Sequence, residues 1–280
     1  LVVAPEFACK QFKLPFPSNK TIKTGENGAF LISLKNAEYK DCIDFAFRLC
    51  RRLRTAAPTG GVFNVARRDF IAIPMIHSIF TMQRIPDHYF QAVGSGSGAI
   101  AAWEAVYRLS GKAGFAPNTM KLHLAQNRPF TPLLDLWKNR EIQNHSKSGR
   151  VLAKVLTNPD PAFHVTGGLR EALADTAGRV YGVTNDEIRH AKARFEKLEG
   201  CDIQYPAAAS LAALEQAVQT QKVAPEDTIL LNITGGGEKR LEQDKPLFPC
   251  EPSLIISKDE IETAAEALSG IVSAFDKKSA

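Results

Sequence analysis

The stretch that most constrains the fold is QAVGSGSGAIAAWEAVYRL, from Gln91 to Leu109. A run containing strand formers, His88 to Val93, leads into three glycines alternating with two serines: Gly94, Ser95, Gly96, Ser97 and Gly98. A helical pattern leads out, with Ala99, Ala102, Trp103, Val106 and Leu109 on one face. Strand, tight loop and helix in that order are the first half of a βαβ unit, and such units build parallel sheets. The same passage makes an anion pocket. Glycine lets the backbone approach closely, N–H groups point inward, and the helix dipole favours negative charge. The pattern predicts a seat for a phosphate.

The rest of the chain alternates in the same way. Strands are predicted at Leu1–Ala4, Phe30–Leu34, Lys121–Ala125, Arg179–Val183 and Asp227–Thr234, the last as the clearest buried strand. A short strand is at most expected around Thr21–Thr24, inside a polar loop. Asn36–Arg54 reads as an amphipathic helix with Ile43, Ala46, Phe47, Cys50 and Leu53 inward. Asn64–Asp69 is short and polar, and Phe70–Met82 reads as a buried helix weakened or kinked at Pro74. Thr184 with Glu187, and Ser257 with Glu260, have capping-box spacing, the second opening a last helix through Ile261, Ala264, Ala265, Leu268, Val272 and Phe275. The fold class is α/β, three-layered, with mostly parallel sheets covered on both faces. The break at Pro58–Gly61 divides the chain into 1–60 and 61–280.

Composition bounds the function. A hydrophobic share of 44% beside 23% charged residues suits a globular chain with a real core. The net charge of +5 comes from scattered basic residues without interleaved aromatics, which argues against nucleic acid. The uncharged run Phe70–Met82 is shorter than the ~20 residues of a membrane helix, and no stretch has a signal-peptide pattern. Five cysteines, odd in number and without C-x-x-C spacing, suit a reduced cytoplasm and argue against zinc or disulfides; the six histidines show no metal spacing. The chain opens on Leu1-Val2-Val3 as if in mid-strand, so a fragment lacking its N-terminal part is expected.

Two strands end in glycines, Val93 into GSGSG and Thr234 into Gly235-Gly236-Gly237. Ligands of open α/β sheets bind at the carboxyl ends of strands. Either run could be a tight turn, and the second more readily so. The first is not a dinucleotide loop, because it reads G-x-G-x-G and the next strand ends without an acidic residue. It is not a Walker loop, because Ala99 follows Gly98. A cup for one small phosphomonoester fits, and pyridoxal phosphate carries such a group.

GSGSGAIAAWEA, DIQYPAAASLAAL behind Leu198-Glu199-Gly200, TILLNITGGGEKRL, NVARRD and RIPDHYFQAVGSGSG together resemble the fold-type-II pyridoxal-phosphate enzymes, which are tryptophan synthase β-like. Within that family they are similar to threonine synthases and most of all to cysteate synthases. The resemblance covers nearly the whole chain but only the later two-thirds of such an enzyme. It implies part of a small N-terminal domain in 1–60 and a large cofactor domain in 61–280. It implies pyridoxal 5'-phosphate as cofactor and β-replacement as reaction: O-phospho-L-serine and sulfite give L-cysteate and phosphate, on the way to coenzyme M. Small-molecule substrates, a cytoplasmic setting and a homo-oligomer go with it.

Residue by residue, the resemblance places Gly94, Ser95, Gly96, Ser97 and Gly98 on the cofactor phosphate, Thr234 at the pyridine nitrogen and Glu199 near the ring. Asn64, Arg67 and Arg68 are then expected to face the dianionic substrate, since guanidinium binds phosphate and sulfite bidentately. A surface charge cluster is the alternative for those three, and a β-branched strand residue the alternative for Thr234. The lysine that binds the cofactor covalently is expected upstream of Leu1, so the chain alone is expected to be inactive. Phe70-Ile71-Ala72 is bulkier than the small residues the family places there. A threonine synthase acting on O-phosphohomoserine and a non-catalytic phosphate-binding remnant are the rival readings.

Overall fold

The computed structural model describes residues 2–9, 12–14, 31–53, 61–112, 114–117, 120–141, 150–264 and 268. In chain order the elements begin with β1 (Val2–Pro5), α1 (Glu6–Cys9), β2 (Lys13–Leu14), β3 (Leu31–Lys35) and α2 (Tyr39–Leu53). There follow α3 (Val65–Met82), β4 (His88–Ala92), α4 (Ser97–Leu109), β5 (Lys121–Asn127), α5 (Pro132–Trp137), α6 (Leu169–Asp175), β6 (Arg179–Val183), α7 (Asn185–Glu199) and α8 (Tyr205–Gln219). The last are β7 (Ile229–Leu231), α9 (Glu238–Asp244), β8 (Phe248–Pro249) and β9 (Leu254–Ser257). The short strand considered at Thr21–Thr24 lies outside the described residues, as do Ala265, Val272 and Phe275.

Two compact units result: Leu1–Gly60 with Arg240–Ala280, and Gly61–Lys239. The residues from Arg240 group with the first segment and not with 61–239. The reason is β9, a strand the sequence pattern did not single out. It pairs in parallel with β3, Ser33 opposite Ile255, in a three-stranded sheet ordered β1-β3-β9. Here α2 buries Cys42, Phe45 and Leu49 beside Ile32, Leu34 and Ile256. That corrects the expected inner face: Ile43 and Phe47 are exposed at 42% and 39%. Two apolar stripes run along α2 one residue apart, and helical spacing alone does not choose between them.

The second unit is a three-layer sandwich on a parallel sheet ordered β6-β5-β4-β7. Alternate side chains of the inner strands go to opposite faces. Tyr89, Val93, Leu122 and Leu124 meet α3, α4, α5 and α6, while Phe90, Ala92, Ala125 and Val183 meet α7 and α8. Helix α8 presents Ala207, Ala208, Ala212, Ala213 and Ala217 to the sheet, small enough for close approach. The capping box predicted at Thr184 and Glu187 is formed at the start of α7. Two expectations need correction. NVARRD is no separate polar segment, because α3 starts at Val65 and runs through Pro74 to Met82; Pro74 faces solvent, where its missing N–H costs least. The strand expected over Asp227–Thr234 pairs only at Ile229–Leu231 and is half-buried, because among the described residues β7 has one neighbouring strand, β4.

A polar chain crosses this apolar interior. His88 Nε2 contacts Asp227 Oδ2 at 2.9 Å, His88 Nδ1 contacts His123 Nε2 at 2.8 Å, and His123 Nδ1 contacts Tyr181 Oη at 2.9 Å. One assignment of protons satisfies all three contacts with both rings neutral: Tyr181 donates to His123, His123 to His88, and His88 to Asp227. Phe90 stacks on His123 with ring centroids 4.2 Å apart. Burial, and then neighbouring His88, hold His123 down at about 3.

Candidate active site

The parallel sheet sets the ends of β4 and β7 on one edge. Phe90 pairs with Leu231, and the Asn232 N–H donates to Phe90 O at 2.9 Å. Thr234 therefore emerges on the strand next to the one that runs into Gly94. A polar knot locks the two strand ends together. Tyr89 Oη donates to Gln91 Oε1 at 2.7 Å, and Asn232 Nδ2 donates to Tyr89 Oη at 2.7 Å. Burial pushes the Tyr89 phenol up, so it stays a neutral donor. Gln91 and Asn232 escaped the sequence reading; their signal was an amide set inside each otherwise apolar strand run.

The loop is built on its glycines. Gly96 sits at φ 94°, the left-handed region, and a Cβ there would lie 2.4 Å from Leu169 Cδ1. A Cβ on Gly98 would lie 2.4 Å from Gln91 Nε2. So the loop presses onto its own protein, and α4 starts directly above β4. Ser95 and Ser97 turn their hydroxyls to within 3.3 Å of each other, Ser95 exposed and Ser97 buried. The first three amides of α4, on Ser97, Gly98 and Ala99, precede the first intrahelical bond, which runs from Ile100 N–H to Gly96 O. Three such amides, two hydroxyls and a positive helix end form a donor set for a phosphate. At the end of β5, beside β4, Gln126 is 1% exposed, its Oε1 accepts from the Leu133 and Leu134 amides, and its Nε2 has no partner among the described residues. The amides and hydroxyls of the α4 loop fit the phosphate of pyridoxal 5'-phosphate.

The remaining candidates are placed as follows. Gly235–Gly237 is not a second anion loop: Gln204 N–H donates to Gly235 O, Gly237 N–H to Asp202 O, and Gly236 bridges to Ile203. The run is a turn stitched to the segment after α7. Thr234 just before it is exposed, and so is Glu199, the last residue of α7. Asn64 caps α3, its Oδ1 accepting from the Arg67 N–H at 3.0 Å. Arg68, 19% exposed, donates to Glu104 of α4 at 3.1 Å and to the Val62 carbonyl, so its guanidinium is occupied in joining the two helices. Arg67 is exposed in the first turn of α3. Among the described residues no cluster of three His, Cys, Asp or Glu could hold a metal ion.

Residues 16–235 match the family described as "Pyridoxal-phosphate dependent enzyme". The chain belongs to the pyridoxal-phosphate-dependent enzyme family. Within this family it is 44% identical over 245 residues to a cysteate synthase of Methanosarcina mazei, covering 84% of the chain and 59% of that relative. It is also 44% identical over 233 residues to a cysteate synthase of Methanosarcina acetivorans, covering 80% of the chain and 56% of the relative. The chain thus spans less than two thirds of the length of these relatives. A crystal structure of serine racemase from Dictyostelium discoideum matches with a TM-score of 0.54 at 18% identity, over 84% of this chain and 67% of that one. That likeness is one of fold, and it agrees with the parallel sheets described above.

Proposed function

We propose that this chain is the larger part of a pyridoxal-phosphate enzyme that converts O-phospho-L-serine and sulfite to L-cysteate and phosphate, a step towards coenzyme M. The observation that carries the proposal is the donor set at the start of α4, on the same sheet edge as Thr234. The relatives named cysteate synthase supply the choice of reaction. When bound, pyridoxal phosphate supplies an electron sink for loss and replacement of the β-substituent. The loop residues Gly94 to Gly98 would hold its phosphate through amides and hydroxyls. The Thr234 hydroxyl would serve the pyridine nitrogen as a neutral partner, and Glu199 would stand near the ring. Arg67 binds the anionic substrate, while Asn64 and Arg68 fix the helix start that carries it. In this reading the covalent lysine belongs to the part of the relatives' length not spanned here.

The proposal includes a homo-oligomer and a cytoplasmic setting. Phe70, Ile73 and Phe80 of α3 are exposed at 73%, 51% and 47%, an apolar face of the kind that contacts between subunits cover. Among the described residues no helix is long and apolar enough to cross a membrane, and all five cysteines are free. The test is phosphate release from phosphoserine by the full-length protein, with and without sulfite, against O-phosphohomoserine. Sulfite-dependent cysteate formation is expected. Turnover of O-phosphohomoserine alone would make it a threonine synthase, and no phosphate release from either would leave a binding remnant.

A further inference from the structure

Away from the loop of α4, a cavity of about 460 Å³ opens between the end of α5 and the start of α6. That volume suits a small ligand. Its floor is apolar, made by Trp137 and by Phe163, which is buried and set edge-on to the His164 ring with centroids 5.0 Å apart. Its rim carries two guanidiniums, Arg140 and Arg170, and among the described residues no acidic side chain. Neither guanidinium has a hydrogen bond or ion pair among the described residues. The backbone of Arg140 is fixed. Asn139 turns left-handed at φ 52°, and the Arg140 N–H closes back on Asp135 O at 2.8 Å, the six-residue closure of a helix C-cap.

From this geometry we propose that the cavity binds a small anion in which a phosphate or carboxylate is attached to a flat ring. The ring lies against Trp137 and Phe163, and the anionic group takes the fork of Arg140 and Arg170. His164 adds a ring nitrogen to the same rim. The wall is also the strap that holds the phosphate loop. Ala162 N–H donates to Ser95 O at 2.9 Å, Leu169 N–H donates to Ala162 O at 2.8 Å, and Leu169 fills the space beneath Gly96. An occupant on Phe163 therefore steadies the segment on which the loop rests. This inference does not depend on the reaction proposed above.

The experiment is calorimetric titration of the full chain with phenyl phosphate and with inorganic phosphate, for the wild type and for the double variant Arg140→Gln/Arg170→Gln. Both positions are exposed, and circular dichroism checks that the variant folds. Phenyl phosphate is expected to bind the wild type at least tenfold more tightly than inorganic phosphate, and the double variant to lose tenfold or more for phenyl phosphate. Exchange of the Ala162 and Leu169 amides should slow when phenyl phosphate is bound. Equal binding by the double variant would locate the ligand elsewhere, at the α4 loop or on the general surface, and overturn the site. Equal affinity for the two phosphates would remove the ring from the proposal, and unchanged exchange would remove the coupling.

Discussion

Gly96 is where backbone and packing demands coincide. A Cβ there meets both a left-handed φ and Leu169, so Gly96→Ala should cost about 2–3 kcal/mol, read by urea unfolding. Gly237, also left-handed but facing open space, should cost only the backbone strain of about 1 kcal/mol when changed to alanine. A second residue-scale prediction concerns His123. Its folded value is lowered from 6.5 to about 3, so the unfolded chain takes up the proton first as pH falls. Stability is complete above pH 6.5 and declines from there towards 3, by a few kcal/mol on the order of the shift. Urea unfolding at pH 7 and at pH 5 should show the fall, and His123→Gln should flatten it. Equal wild-type stability at the two values would refute a neutral His123. At this scale the glycines were legible because no other residue takes their place, whereas Gln91, Asn232 and the His88–His123 contact were not. Each depends on a partner strand, and local pattern carries no register between strands.

Among elements, the pairing of α3 with α4 governs where the start of α3 stands relative to the phosphate loop. Arg68→Ala would strand Glu104 and the Val62 carbonyl in a partly buried place, at a cost of about 2 kcal/mol by chemical denaturation. Loss of phosphoserine affinity in the same variant would show that the helix start carries the substrate. Charge placed on the apolar face of α3, as in Phe70→Asp/Ile73→Asp, should turn an oligomer into monomers by light scattering while the far-UV circular dichroism of the folded chain is retained. An unchanged mass would exclude that face as the interface. Helices with a single apolar stripe or a capping box were legible, as α7 shows. For α2 the stripe was ambiguous, and only the sheet it covers decided which of its two apolar rows turns inward.

For the whole molecule, the second unit holds its own cores on both faces of its sheet. Residues 61–239 expressed alone should therefore unfold in one cooperative transition, followed by circular dichroism; a gradual melt would show that they need the rest of the chain. The break at Pro58–Gly61 was legible from its composition. The grouping of residues beyond Arg240 with the first sixty was not, because a four-residue strand such as β9 has too little pattern to reveal which sheet takes it in. That late strand also has a consequence for synthesis. While the ribosome is still making the central unit, the flank of β3 that β9 covers is still open. Until then the nascent protein carries an unguarded hydrogen-bonding ladder, and that interval is when misassembly with another growing chain competes with completion.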